Sequence, residues 1–158
     1  VAEAWGLPFL ADALDHPAAE SGHLDYDDRS SFSLPVNHRE TFTGITDDDR
    51  ALTIRELGAA ADAAAAGEFG DEEFAESFRS PGHVALLRGA PDRLADRQGH
   101  TELGLALADA ADREPAVVVC EMLDGETGGA RTPADARAYA EREGFAYVEG
   151  RELLARLD

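Results

Sequence analysis

The apolar positions of this 158-residue chain switch between two periods. Recurrence every three or four residues marks one face of a helix; alternation or an unbroken apolar run marks a strand. Ser31-Phe32-Ser33-Leu34-Pro35-Val36 partly alternates polar with apolar and predicts a strand. Pro35 has no amide donor, which places it at a sheet edge or a strand end. Thr46-Asp47-Asp48-Asp49 predicts a helix start, with Thr46 as the cap and three carboxylates at the positive end of the dipole. That helix runs through Leu57 into Ala63-Ala64-Ala65-Ala66, whose small side chains permit close packing, and stops near Gly67. A short helix is expected from Asp71 to Phe78.

The second half alternates strand and helix signals. Val84-Ala85-Leu86-Leu87 predicts a strand, and Thr101-Glu102 opens a helix with Leu103 and Leu107 on one face. Ala116-Val117-Val118-Val119-Cys120-Glu121-Met122 is β-branched and continuous, the pattern of a strand buried on both sides. Thr132-Pro133 pairs an N-cap with proline at the first helical position, and the helix it starts ends near Gly144. Phe145-Ala146-Tyr147-Val148 then predicts a strand and Arg151 to Leu157 a closing helix. The most loop-like stretch is His16 to Ser31, with the acidic Asp25-Tyr26-Asp27-Asp28 cluster. The expected fold is α+β: a mixed β-sheet layered with helices in an α/β/α sandwich, within one domain spanning 1–158.

Charge changes this picture more than composition does. Fourteen basic residues face 33 acidic ones, for a net charge of −19, and every basic residue is arginine. Phosphate neutralisation needs a cationic face, so bulk electrostatics excludes nucleic acid and anionic membranes as partners. No run of about 18 apolar residues signals a transmembrane helix. The start, Val-Ala-Glu-Ala-Trp-Gly, has no signal-peptide pattern and suggests the cytoplasmic remainder of a longer protein. An acidic surface around a periodic apolar pattern fits a halophile-type protein that folds best in concentrated salt. Cys120 is the single cysteine; it cannot form an intramolecular disulfide and is expected to act as a small buried hydrophobe.

Several segments could carry chemistry. Arg97-Gln98-Gly99-His100-Thr101-Glu102 sets an arginine, a glycine and a capping threonine at a helix start. Backbone amides, a hydroxyl and the positive dipole end together favour an anion, and glycine allows close approach. An ordinary capped helix explains the same pattern. His100 beside that site is a candidate ligand for a divalent metal, or a plain surface histidine. His83 follows a Pro81-Gly82 turn directly before a strand, a rigid place for a general acid or base and equally for a histidine that contacts backbone. Glu121 interrupts an apolar strand; desolvation raises a carboxyl pKa, which suits proton transfer near neutrality, whereas a buried salt bridge would satisfy it without function. Thr43, in Thr41-Phe42-Thr43-Gly44-Ile45-Thr46, adds a hydroxyl and a glycine next to another helix start.

These segments share an order and spacing that resemble one family. Thr41-Phe42-Thr43-Gly44-Ile45-Thr46 with Asp49-Arg50, Phe78-Arg79-Ser80-Pro81-Gly82-His83, Arg97-Gln98-Gly99-His100-Thr101-Glu102, and Cys120-Glu121-Met122 with Asp124-Gly125 and Ala130-Arg131 resemble 3,4-dihydroxy-2-butanone 4-phosphate synthase, the riboflavin-pathway lyase. The likeness covers nearly the whole chain from about Pro8. It implies conversion of D-ribulose 5-phosphate to L-3,4-dihydroxy-2-butanone 4-phosphate and formate with Mg²⁺ or Mn²⁺, in a cytoplasmic homodimer. It also implies that His83 and Glu121 are catalytic and that His100 is a metal ligand. Arg97, Gln98, Gly99, His100 and Thr101 would bind the substrate, with Arg97, Thr101 and the Gly99 backbone on its phosphate and Thr43 close by.

Two departures stand out. The family's N-terminal acidic loop, which supplies a carboxylate ligand, has no match here, and the chain begins downstream of its place. The stretch Asp124 to Arg131 is longer than the family's usual turn. The chain is therefore expected to be the C-terminal part of a synthase domain, weak in metal binding and turnover by itself. The alternative is a non-catalytic acidic binding domain that keeps the fold.

Overall fold

A computed structural model describes residues 1–19 and 30–157. The acidic cluster at Asp25–Asp28 and most of the predicted loop lie outside those residues. The chain forms two compact units, Val1–Ala116 and Val117–Asp158.

The first unit is built on an antiparallel pair, β1 (Phe32–His38) and β2 (Phe78–Leu87). Helix α1 (Leu10–Ala13) precedes it, α2 (Asp47–Ala65) and α3 (Asp71–Ser77) lie between the strands, and α4 (His100–Ala110) follows β2. Thr46 caps α2 as expected, its hydroxyl accepting from the Asp49 N–H at 3.2 Å. The alanine block itself stays largely outside the core: Ala65 and Ala66 are exposed and Ala64 packs against it only partly buried, whereas Ala60 and Ala61, just before the block, are buried with Trp5, Leu7, Val36, Phe74 and Phe78. Three rings order that core, Trp5 stacking on Phe74 at 4.9 Å and Phe74 meeting Phe78 at 4.8 Å. Thr53, fully buried on α2, accepts from the His38 N–H and donates to the Asp49 carbonyl, both at 3.0 Å, so the end of β1 is fixed to the first turns of α2.

The register of the pair positions the chemistry. Val36 faces Val84, yet the next residue, Asn37, faces Arg79. Residues 80–83 have no partner across the ladder and bulge from β2. Gly82 makes this possible, because a Cβ there would overlap the Val36–Asn37 peptide. His83 thus sits in a bulge inside one long strand, not in a turn ahead of a short one. Bulges next to sites re-aim side chains in this way.

The second unit holds α5 (Pro133–Glu143) and α6 (Gly150–Leu157). Thr132 caps α5 by accepting from the Asp135 N–H, and Gly144 closes it in the left-handed conformation at φ 74°. The α+β class stands. Among the described residues the sheet is the β1–β2 pair, in place of the broader mixed sheet between helix layers that the pattern predicts.

Two expected strands do not form. Residues 116–122 make no ladder; Val118 is 72% exposed, and Cys120 is exposed where a buried thiol was expected. β-branched residues fit a pleated surface only when a neighbouring strand is there to complete it. Here pairing reaches only the Leu123–Ala130 bridge and the Arg131 N–H on the Met122 carbonyl. Residues 145–148 fold back on α5 instead: the Phe145 N–H donates to the Ala140 carbonyl, and the Tyr147 ring takes the Arg137 guanidinium over its face at 4.7 Å.

Candidate functional site

Two constellations in the first unit hold most of the expected residues. The first surrounds the β2 bulge. The His83 N–H, left without a strand carbonyl, donates to Asn37 Oδ1 at 2.8 Å, and the Asn37 amide nitrogen lies 3.3 Å from His83 Nδ1. Asn37 is buried while His83 is exposed. Gly44, at φ 81°, lies against the Asn37 amide so closely that a Cβ would overlap it. One buried carboxamide thereby joins the candidate catalytic histidine to the loop that carries Thr43.

That loop is ordered by its own counter-ion. The Asp49 carboxylate accepts from the N–H groups of Phe42, Thr43 and Gly44 and from the Thr43 hydroxyl, the shortest contact being 2.8 Å to Gly44. These bonds hold the Asp49 carboxyl below its ordinary range; the Gly44 amide contributes most, and partial desolvation opposes it. Arg79, inside β2, donates to the Thr41 carbonyl and hydroxyl and secures the start of the same loop.

The second constellation is the start of α4. His100 is its first residue and Gly99 its N-cap, which makes no side-chain cap hydrogen bond. Thr101 was expected to be the cap, but it lies inside the helix, buried next to Gly89. A glycine N-cap leaves the first N–H groups of α4 without a side-chain acceptor from the cap, which favours an anion there. The Arg97 guanidinium lies against Gly99, where a Cβ would overlap it. Glu102 Oε2 holds it at 2.6 Å, and Glu102 Oε1 accepts from the Ala90 N–H at 2.9 Å. Glu102 is fully buried, so this acid at the third helical position anchors the loop after β2 and the arginine at once. Gln98 and His100 are exposed.

Glu121 belongs to the second unit, and its place differs from expectation. It is exposed in the unpaired stretch after Cys120, so no apolar strand desolvates it. Next to it, Asp124 Oδ1 accepts from the N–H groups of Glu126 and Thr127, closing the 124–129 turn. His100 is exposed, and an imidazole is a residue type that can ligate a divalent ion. The described residues contain no group of three His, Cys, Asp or Glu that would hold a metal ion.

Three residues of the site carried weak sequence signals. Asn37 closes the apolar Leu34-Pro35-Val36 run, and a buried amide there requires partners at both ends. Glu102 stands at the capping-box position of α4 but is used across the chain rather than at the helix start. Asp49 has the ordinary look of a first-turn acid and turns back onto the preceding loop instead.

Comparison with known proteins converges on one family. Residues 2–156 match the family model for 3,4-dihydroxy-2-butanone 4-phosphate synthase. A synthase of that name from Archaeoglobus fulgidus is 50% identical over 97% of this chain and 67% of its own length. One from Methanosarcina mazei is 45% identical over 94% of this chain and 63% of its own. The chain thus spans about two thirds of these relatives. The crystal structure of the Candida albicans synthase superposes with a TM-score of 0.75 at 25% identity, covering 99% of this chain and 67% of that one. A synthase solved with two magnesium ions gives a TM-score of 0.70 at 25% identity over 99% of this chain and 68% of that one. With its motifs in place and the family model matched almost from end to end, the chain belongs to the 3,4-dihydroxy-2-butanone 4-phosphate synthase family.

Proposed function

We propose that the chain carries out the family's lyase reaction on D-ribulose 5-phosphate, releasing formate and L-3,4-dihydroxy-2-butanone 4-phosphate. The observation that carries this reading is the family match over residues 2–156. The α4 start agrees with it: Arg97 lies beside a glycine N-cap, the donor set that a sugar phosphate needs. Arg97, Gln98, Gly99, His100 and Thr101 hold the phosphate end, with Thr43 contributing from its loop. The reaction moves protons next to a carbonyl, and His83 and Glu121 serve those steps. A divalent ion, magnesium or manganese, would polarise adjacent substrate oxygens. His100 is one ligand for it, and the other ligands come from outside the described residues. The protein works as a cytoplasmic homodimer, and no described helix is long and apolar enough to cross a membrane.

Formate release from D-ribulose 5-phosphate with Mg²⁺ in molar KCl tests this reading. The assay is run on the chain alone and on the chain joined to the N-terminal portion of a relative, and formate release by either is the expected result. Absence of formate from both, or near-normal turnover in the joined protein carrying Glu121→Gln, overturns the assignment.

A further inference from the structure

We infer that Asn37 sets the tautomer of His83, keeping Nδ1 as a hydrogen-bond acceptor and presenting Nε2–H away from the sheet as a donor. The His83 backbone N–H can only donate, so the Asn37 atom 2.8 Å from it is the carbonyl oxygen. The other end of the carboxamide is then the NH₂ group, 3.3 Å from Nδ1. An NH₂ group can only donate, so Nδ1 accepts, and a neutral imidazole that accepts at Nδ1 carries its proton on Nε2.

The amide has little freedom to turn away. It is 3% exposed, its neighbour His38 at the end of β1 is anchored by Thr53, and Gly44 presses against it from the Thr43 loop. The four-residue bulge gives this contact its reason. With residues 80–83 out of the ladder, the Asn37 side chain takes over the acceptor role of the missing strand carbonyl, and its second end reads the ring. A neutral His83 therefore offers substrate a donor, suited to an oxygen on which negative charge develops. The opposite tautomer would aim Nδ1–H at the Asn37 NH₂ group. For its effect on turnover this inference rests on the proposed lyase reaction; the tautomer itself does not.

The experiment is ¹⁵N–¹H spectroscopy of the histidine rings in the labelled chain, at alkaline pH where imidazole is neutral, with His83 assigned by its loss in His83→Gln. The expected spectrum shows His83 Nδ1 unprotonated and Nε2 protonated. In Asn37→Asp the carboxylate still accepts from the backbone N–H, and its second oxygen can only accept, so the ring is expected to invert to Nδ1–H. A protonated Nδ1 in the parent, or an unchanged ring in a folded Asn37→Asp, overturns the inference; if that variant fails to fold, the parent spectrum decides. Formate release by the joined protein carrying Asn37→Asp is expected to fall ~10²-fold in kcat with KM little changed, the loss seen on removing one preorganised donor. An inverted ring with unchanged turnover leaves the tautomer standing and removes His83 from the reaction.

Discussion

Glu102 gives the sharpest energetic test. Replacing it with alanine removes a fully buried carboxylate that accepts from Arg97 and from the Ala90 N–H. The Arg97 side chain is 18% exposed, so water does little to replace its partner. Ala90 is itself buried, and its N–H would lose its acceptor, a loss of about 1–3 kcal/mol. Breaking a buried ion pair by deleting one partner costs about 3–5 kcal/mol, a range that includes bonds of this kind. With a urea m-value of about 2 kcal/mol/M, the unfolding midpoint of Glu102→Ala should fall by about 2 M. Urea melts of parent and variant in the same molar KCl, followed by circular dichroism, measure this directly. A shift below about 0.5 M would mean that the pair contributes no more than an exposed ion pair does, about 1 kcal/mol, and the buried anchor at the start of α4 would be refuted.

Three further outcomes follow from the same geometry. Asp49→Ala should lower stability at neutral pH. Asp49 has its carboxyl pKa lowered in the fold, so its contribution is present above the ordinary value of 3.8 and is lost as pH falls through the native one; the gap between thermal melts of parent and variant should narrow as pH falls below 3.8, and a gap that widens there would contradict the sign. Gly44→Ala should destabilise by about 2 kcal/mol or more, from the left-handed backbone and the displaced Asn37 amide together, and should shift the His83 backbone amide resonance; an unmoved resonance would sink the contact. With a net charge of −19, the melting temperature should rise between 0.1 M and molar KCl as the screening length shrinks from about 10 Å to about 3 Å, and a flat dependence would exclude the halophile-type surface.

Residues whose structure is set by close neighbours in sequence were legible. Thr46 and Thr132 cap their helices because a hydroxyl finds an amide three residues on, and Gly144 ends α5 because it alone tolerates the left-handed turn. Arg97, Gly99 and His100 were recognisable for a similar reason, since one helix start brings them together. Legibility failed where the answer lay across the chain. Val117-Val118-Val119 has strand propensity, but propensity names no partner, and none pairs with it among the described residues. The bulge at residues 80–83 depends on Asn37 and Gly44, which lie about forty positions away, so His83 reads locally as a turn residue. Glu121 was judged by its apolar neighbours in sequence, and those neighbours turn out to be exposed with it.

The carboxylate folded into the Thr43 loop has a bearing on what else can dock there. Asp49 is a tethered competitor: its carboxylate already occupies three main-chain donors of the loop. An incoming phosphoryl group would have to evict it, or leave it in place and take its grip elsewhere. Selection at this end of the molecule would thus fall to ligands with a second point of attachment.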